Sequence, residues 1–355
     1  MNPDLSRKKN LTHWALLVAL SAALAAVLEH LGLPAGLMLG PMLAAVLAMM
    51  AGVSLRLPNA CFVAAQGLVG CLLARSIPAT VFTTIGRDWP VFVVGVLAVV
   101  TVANGLGWLL ARWQVLPGTI AIWGSAPGAA TAMVLMSEDY GADVRLVACM
   151  QYLRVVCVSV VASVVARLSA HGTAAAPMVA IDWFPAVDPA ALAATLAIAW
   201  GGAWAGWRLR LPAGTLLGPL LLGVAFQGAA GQPLVLPPWL LAGAYAAVGW
   251  SIGLRFTRPI LAVAIRALPR VLASIFALIA LCGGFAALLV AWTGIDPLTA
   301  YLATSPGGAD SVAIIAASSQ VDLPFVIAMQ TLRLVFVMLT GPLIARFIAA
   351  RLRRS

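Results

Sequence analysis

The sequence predicts an all-α polytopic membrane protein made of two homologous halves, and three observations support this class. First, 63% of its 355 residues are hydrophobic and only 9% are charged, whereas about a quarter of the residues of a soluble domain are charged. Second, apolar runs recur throughout the chain, each of about 20 residues and long enough to cross roughly 30 Å of hydrocarbon. Third, an uncommon motif of proline, glycine and arginine occurs once in each half.

Twelve hydrophobic segments can be recognised, six in each half. A polar linker, residues 169–187, joins a first membrane repeat, 1–168, to a second, 188–355. Basic residues precede the first segment but no small-residue cleavage site follows it, so we predict a membrane span and not a signal peptide. The segments are 13–31, 35–53, 58–76, 90–112, 117–137 and 144–168 in the first half, and 188–206, 213–231, 237–254, 270–293, 297–319 and 323–350 in the second.

The strongest sign of duplication is a Pro-Gly pair that is followed by an arginine at the same spacing in both halves. Pro127 precedes Arg154 in the first half, and Pro306 precedes Arg333 in the second, without a gap between the two copies. A second element, L-P-A-G followed by G-P, also occurs once in each half. Both copies of it contain G-x-x-x-G, a pattern that lets helix backbones approach closely in lipid. We therefore interpret the halves as products of a duplication.

The positions of lysine and arginine predict that the two halves are inverted. If all twelve segments cross the membrane, ten basic residues fall inside and nine outside. This difference is too small to determine the orientation of the protein in the membrane. If the Pro-Gly segment of each half enters and returns on one side, the count becomes sixteen inside and three outside. Because cytoplasmic loops carry the excess of Lys and Arg, we predict about ten transmembrane helices, two broken or re-entrant segments, inverted repeats and cytoplasmic termini.

The two Pro-Gly pairs predict a substrate site. Proline removes a backbone donor, and the broken backbone is tolerated in a membrane where it lines a wet cavity. Inverted repeats with discontinuous helices place substrate sites at the bilayer midplane, where a helix N-terminus can face an anion. A kink packed against a neighbouring helix is the alternative. The candidate substrate-binding residues are Ser125, Pro127, Gly128, Thr131, Gln151, Arg154, Thr304, Ser305, Pro306, Gly307, Gly308, Ser311, Gln330 and Arg333.

The arginine of each half has two open interpretations. An arginine inside an apolar helix is unfavourable by about 2.5–3.5 kcal/mol and persists when it has a partner or a function. Its planar fork suits a substrate carboxylate. It could equally hold Asp143, Asp322 or freed backbone carbonyls as a structural clamp.

Asp310 follows the second Pro-Gly pair, and the equivalent position after the first pair is Thr131. At this position only the second half carries an acid. One hypothesis is ion coupling, in which Asp310 binds a cation or exchanges a proton. The other is that it caps the helix after the break.

Several functions are disfavoured by composition. The net charge of +10 comes from arginines at segment ends, as topology requires, so we expect no direct nucleic-acid binding. The five cysteines form no C-x-x-C pair and the three histidines are widely separated. With no P-loop, nucleophile elbow or H-E-x-x-H motif, we predict no catalytic residue, no metal and no cofactor.

The duplicated L-P-x-G-x-x-x-G-P element, together with the paired (S/T)-x-P-G and Q-x-x-R elements, resembles the membrane AbrB family of bacteria. The resemblance covers residues 33–348 and implies a duplicated membrane domain. Members are often labelled regulators of gene expression or ammonia monooxygenases, and they differ from the soluble DNA-binding proteins of the same name. The few histidines disfavour the oxygenase label, and the lack of a soluble domain makes any regulation indirect.

We therefore expect a secondary transporter or permease of a bacterial cytoplasmic membrane that moves a small metabolite, with an anion as one candidate class. The alternative is a membrane-embedded sensor that affects gene expression without transport. The expected partners are the lipid bilayer and a small-molecule substrate, and a homo-oligomer stays open.

Overall fold

All the regular elements that the computed structural model describes are helices. It describes residues 3–30, 36–53, 55–77, 85–86, 88–116, 119–128, 130–169, 182–211, 213–307, 312, 316 and 321–352. The helices are α1 (Pro3–His30), α2 (Gly36–Met50), α3 (Asn59–Arg75), α4 (Trp89–Arg112), α5 (Ile120–Ser125), α6 (Ala130–Asp139), α7 (Val144–Ser169), α8 (Pro189–Arg208), α9 (Gly214–Ala230), α10 (Pro238–Gly253), α11 (Arg258–Thr293), α12 (Pro297–Thr304) and α13 (Leu323–Leu352).

Six of the described helices are long and apolar enough to cross a membrane. They contain the stretches Leu11–His30, Trp89–Arg112, Val144–Ala166, Pro189–Arg208, Arg258–Thr293 and Leu323–Gly341, while α2, α3 and α9 are shorter apolar helices. Large hydrophobic side chains stand on the outer surface, and those of Leu288 and Leu339 are 68% and 70% exposed. These features confirm the predicted class, an all-α polytopic membrane protein.

The chain folds into two compact units. Unit 1 comprises Met1–Ser76 and Ala180–Ala262, and unit 2 comprises Ile77–Val179 and Val263–Ser355. Each unit therefore takes one part from each half of the sequence. The compact units and the predicted repeats are different divisions of the chain, because a repeat is defined by descent along the sequence and a unit by packing.

Unit 1 shows the same packing contact twice, with the halves exchanged. A Cβ added to Gly70 of α3 would lie 2.5 Å from the carbonyl oxygen of Leu216 in α9. A Cβ added to Gly249 of α10 would lie 2.8 Å from the carbonyl oxygen of Met38 in α2. Gly70 and Gly249 are equivalent positions of the two halves, because their separation in sequence equals that of Pro127 and Pro306. Such reciprocal contacts are what a two-fold relation between equivalent elements produces.

The close backbone approach predicted from G-x-x-x-G is confirmed in unit 1. A Cβ on Gly218 would lie 2.0 Å from the carbonyl oxygen of Gly202, and one on Gly214 would lie 2.4 Å from that of Gly206. Any side chain larger than hydrogen at these positions would push α8 and α9 apart. In lipid, this van der Waals contact between backbones is a main source of helix association.

Unit 2 pairs two equivalent helices in opposite directions. Val91, at the beginning of α4, packs against a cluster that includes Leu289 near the end of α11. Ala103, further along α4, shares a cluster with Leu278, which is earlier in α11. Rising numbers on one helix therefore meet falling numbers on the other. Since α4 and α11 hold corresponding positions in the two halves, their antiparallel packing is the arrangement that inverted repeats require.

Helix α11 begins earlier than the sequence pattern indicates. The predicted segment is 270–293, whereas the helix runs from Arg258 through Pro269 to Thr293. Three exposed arginines in the early part of the helix (Arg258, Arg266 and Arg270) make this stretch resemble a loop. Arginine is nevertheless a good helix former, and the apolar residues between the arginines keep a helix compatible with the stretch.

Candidate functional site

A helix break occurs at each Pro-Gly pair, and both breaks belong to unit 2. Helix α5 ends at Ser125, and the first break (Ala126–Gly128) separates it from α6. Helix α12 ends at Thr304, and the second break (Ser305–Gly307) follows it. The residues before the two prolines have nearly the same conformation: Ala126 has φ −58° and ψ 124°, and Ser305 has φ −54° and ψ 129°. Proline disfavours the helical region for its predecessor, which explains both ends.

Two polar side chains of α7 bind the carbonyl groups at the first break, and we call Gln151 and Arg154 the first clamp. Gln151 Nε2 donates to the carbonyl oxygens of Trp123, at 2.7 Å, and Ala126, at 3.1 Å. Arg154 Nη1 donates to those of Ala126, at 2.7 Å, and Ser125, at 3.2 Å. Arg154 Nη2 also donates to Gln151 Oε1 at 2.7 Å, which locks the pair together.

The second clamp, Gln330 and Arg333 of α13, repeats this pattern at the second break. Gln330 Nε2 donates to the carbonyl oxygens of Leu302, at 2.8 Å, and Ser305, at 3.3 Å. Arg333 donates to those of Ser305, at 2.7 Å, and Gly307, at 3.2 Å, and also to Gln330 Oε1. Leu302 and Ser305 are the second-half equivalents of the two residues that Gln151 binds, so the duplication extends to individual hydrogen bonds.

These bonds show what the arginines hold. The last carbonyls of a helix have no partner within it, and their partial negative charge favours a cation. Of the partners considered from the sequence, the arginines bind backbone carbonyls. Asp143 instead pairs with Arg145 at 2.7 Å, and Asp322 accepts from the backbone N–H of Phe325 at 3.0 Å. Contact of the arginines with a substrate stays a prediction.

Asp143 lies in the connection before α7, outside the apolar stretch of that helix. The side-chain hydrogen bond from Arg145 lowers the pKa of this carboxyl, opposed by its partial burial. The carboxylate therefore stays ionised at neutral pH. Asp143 therefore forms a partly exposed ion pair with Arg145 at the beginning of α7 and takes no part in the clamps.

The two breaks pack reciprocally against the two clamp helices. A Cβ on Gly128 of the first break would lie 3.2 Å from Val337 Cγ1 of α13, and one on Gly307 of the second break would lie 3.1 Å from Val158 Cγ1 of α7. Each valine stands one turn after its arginine. Each break is therefore hydrogen-bonded by its own half and packed against the other half, which brings the two clamps into one region of unit 2.

This region carries buried positive charge. The side chains of Arg154 and Arg333 are 1% and 3% exposed, and their like charges repel each other. Cys282 of α11 is also buried there, and its carbonyl oxygen lies 3.4 Å from Thr304 Oγ1 beside the second break. Neither arginine forms an ion pair with a carboxylate of the described residues. The carbonyl ends of two helices, each equivalent to roughly half a negative charge, offset the charge only partly.

Four buried side-chain atoms have no hydrogen-bond partner in the described part of the chain, and each of them can donate. They are Trp123 Nε1, Arg154 Nε, Ser159 Oγ and Ser305 Oγ. Such orphans are rare in folded proteins and often mark a ligand or an ordered water. Trp123, Ser159 and Cys282 are site residues that the sequence analysis missed. No motif marks Ser159, because the equivalent position of the second half is Met338.

The other predicted site residues fall into three groups. Thr131 Oγ1 lies 3.1 Å from Tyr152 Oη, and Thr304 Oγ1 donates to the carbonyl oxygen of Ala300 at 2.9 Å, so both hydroxyls have local partners. Ser125, Pro127 and Pro306 belong to the breaks and the helix end beside them. Gly308, Asp310 and Ser311 lie outside the described residues, and their roles stay predictions.

A small cavity adjoins the first break. Its volume is about 10 Å³, which corresponds to one water position. Asn104 of α4 and Thr340 of α13 contribute polar groups to a lining that also includes Trp123 and Ala126. No group of three or more His, Cys, Asp or Glu side chains comes together among the residues that the structure describes.

Known proteins resemble this chain over most of its length. Residues 37–349 match the model of a family, AbrB, described as "Transition state regulatory protein AbrB". A protein of Escherichia coli (strain K12), "Putative regulator AbrB", is 48% identical over 337 residues, which are 95% of this chain and 96% of that protein. A protein of Bacillus subtilis (strain 168), "Uncharacterized protein YhjN", is 26% identical over 293 residues, 78% of this chain and 76% of that protein.

Proposed function

The chain belongs to the membrane AbrB family, and from this premise we propose that it is a secondary transporter of small anions in the bacterial cytoplasmic membrane. Its substrate would bind at the two helix breaks of unit 2. The observation that carries this proposal is the pair of buried clamps, which hold two broken helices and bring two guanidinium groups into one apolar region.

Broken helices favour transport over a purely structural role. A helix break at membrane depth leaves backbone groups that lipid cannot satisfy, and proteins tolerate it where the break is buried or lines a cavity. At the first break Gln151 and Arg154 bind carbonyls that a continuous helix would satisfy by itself. Two such breaks in inverted halves, with helix ends meeting near the clamps, are the arrangement in which transporters bind substrates.

The electrostatics favour an anion as the substrate. Each buried arginine is unfavourable by about 2.5–3.5 kcal/mol on insertion scales, and the repulsion between Arg154 and Arg333 adds to this. An anion between the clamps would reduce both terms. The orphan atoms nearby are donors, which suits a ligand whose oxygens are acceptors. Transport by such a site needs no catalytic residue, and no metal-ligand cluster is present among the described residues.

The second candidate is a sensor that binds the same anion without moving it. It is favoured by the names of the family and of the Escherichia coli relative, both of which refer to regulation. Regulation of gene expression would then be indirect, through a partner or through the solute concentration. The two candidates share a binding site and differ only in flux.

Reconstitution of the full chain in liposomes separates the two candidates. Uptake of labelled acetate, succinate, inorganic phosphate and methylamine would be measured under imposed pH, sodium and potential gradients, with protein-free liposomes as the control. We expect saturable, gradient-dependent uptake of at least one anion. Saturable anion binding without uptake under any gradient would favour the sensor, and uptake of methylamine alone would contradict the anion assignment.

A further inference from the structure

We infer that the two breaks are no longer equivalent, and that a single small oxyanion binds at the second break, between Ser305 and Arg154. The inference rests on the proposed function and narrows it from two symmetric breaks to one binding position. The duplicated backbone framework is shared by both breaks, whereas the groups available to a ligand differ between them.

The first difference is a hydroxyl group. Ser305 of the second break corresponds to Ala126 of the first. The Ser305 side chain is 0% exposed, and its Oγ has no hydrogen-bond partner among the described residues. A Cβ placed on Gly307 would lie 3.6 Å from Ser305 Oγ and 3.1 Å from Val158 Cγ1. The hydroxyl therefore lies on the side of the second break that packs against α7.

The second difference is what fills the space beside each glycine. A Cβ on Gly128 would meet Val337 Cγ1 at 3.2 Å and the Met133 side chain at 3.3 Å. The atoms nearest to Gly128 are thus apolar, whereas Gly307 has Ser305 Oγ beside it as well as the side chains of Val158 and Val312. An oxyanion placed directly against Gly128 would lack a hydrogen-bond donor on that side, which is unfavourable in a buried place.

The third difference concerns the two arginines. Arg154 keeps a buried Nε without a partner, and no nitrogen of Arg333 is among the orphan atoms of the described residues. Ser159, the next residue after Val158 on α7, adds another unpartnered hydroxyl. Three of the four orphan donors therefore belong to α7 and the second break, the two elements that touch through Val158 and Gly307. The fourth belongs to Trp123 of α5.

These groups define the chemistry of the ligand. A carboxylate or phosphate oxygen accepts several hydrogen bonds and donates none when ionised, so it matches donors that have no acceptor. Bonds from a guanidinium N–H and a hydroxyl to an anion are charge-assisted and stronger than neutral ones. Arg333, held at the other side by its own clamp, would add attraction through its charge without a direct bond.

Removing the hydroxyl of Ser305 tests the inference. Binding of acetate, succinate and inorganic phosphate to the purified full chain would be measured by calorimetry for the wild type, Ser305→Ala and the control Ser251→Ala, which removes a buried hydroxyl of unit 1 that donates to the carbonyl oxygen of Val248. We expect one anion per chain, at least about tenfold weaker binding by Ser305→Ala because a bond to a charged ligand is lost, and unchanged binding by Ser251→Ala. Melting temperatures close to the wild-type value would show that both variants fold.

Three outcomes would overturn the inference: two anions per chain, wild-type affinity of Ser305→Ala, or equal weakening by both substitutions. If the orphan donors merely hold a water molecule, Ser305→Ala would leave anion affinity unchanged. The proposed transport function can be refuted independently of this binding position. Anion uptake that is insensitive to Ser305→Ala refutes only the single position, whereas an anion that binds as expected without being transported supports the position and refutes transport.

Discussion

Unit 1 and unit 2 are assembled by the same rule and bury different chemistry. In both units, helices or breaks of one half of the sequence pack against helices of the other half. Gly70 and Gly249 show this in unit 1, and Gly128 and Gly307 show it in unit 2. Unit 1 buries apolar side chains, such as the cluster of Leu17, Ala45 and Leu254, and brings helix backbones into direct contact at its glycines. Unit 2 buries two arginines, two broken helices and all four orphan donors found in the described residues.

The difference in what the two units bury indicates that they have different roles in the protein. Close backbone packing favours a fixed arrangement of helices, since at these glycines no side chain separates them. The polar groups that unit 1 does bury have partners: Thr195 Oγ1, for example, accepts from the backbone N–H of Val235 at 3.0 Å. A binding site needs groups that the protein itself leaves unsatisfied, and those occur in unit 2.

The largest effect is expected from Gly218→Ala in unit 1. The new methyl group would overlap the carbonyl oxygen of Gly202, and because that atom is backbone, α8 and α9 must separate. We expect a loss of more than about 3 kcal/mol, seen as a failure to purify a folded monodisperse protein or as a large fall in melting temperature. Gly228→Ala on the same helix is the control, since no atom lies within 4 Å of its new Cβ. Wild-type stability of Gly218→Ala would show that close backbone packing does not hold unit 1.

A smaller but still large effect is expected from Arg154→Met and from Arg333→Met in unit 2. Each substitution removes a donor from two carbonyls of a break and leaves one of them, that of Ser125 or that of Gly307, without a side-chain partner, at about 2–3 kcal/mol. Either substitution alone also relieves the mutual repulsion, so the double variant should lose more stability than the sum of the two single losses. Melting temperatures of the three variants measure this. A double loss equal to or smaller than the sum would contradict the repulsion between the clamps.

Gly307→Ala should have a moderate effect, about 1–2 kcal/mol, because Val158 must move by a few tenths of an ångström. Val158→Ala should restore part of the stability of Gly307→Ala and none of that of Gly128→Ala. Val337→Ala should do the reverse. The melting temperatures of the single and double variants measure both effects, and rescue of both glycine variants by one valine substitution would refute the reciprocal packing of the breaks.

The smallest effect is expected at Asp143. The hydrogen bond from Arg145 lowers its folded-state pKa, so the stabilisation is present above the unfolded pKa, about 3.9, and is lost as the pH falls through the folded value. The pair is partly exposed, so its contribution is below about 1 kcal/mol and weakens with salt. Asp143→Asn should remove this part of the acid dependence of the melting temperature. An unchanged acid dependence would show that the pair does not stabilise the fold.

The positions of the breaks could be predicted from the sequence because the cause is local. Pro127 and Pro306 prevent a continuous helix by removing a donor and restricting the preceding residue, and α5 and α12 end shortly before them. The predicted start of α11 is wrong, because the exposed arginines at its beginning carry the pattern of a loop. The sequence also marks Arg154 and Arg333 as unusual, but it leaves their carbonyl partners as only one of several options.

Hydropathy, charge placement, proline and the equal spacing of the repeated motifs are enough to predict the membrane class, the duplication, the inverted halves and the broken segments. Each of these signals is read along the sequence, so it can be recognised before folding is considered. Only the folded chain shows that each unit contains parts of both halves. It alone also shows that each break is hydrogen-bonded by its own half and packed against the other half. The same holds for the unpartnered atoms of Ser159, Ser305 and Arg154. These properties depend on which distant segments meet, because a donor is satisfied or left free only by the groups that surround it after folding.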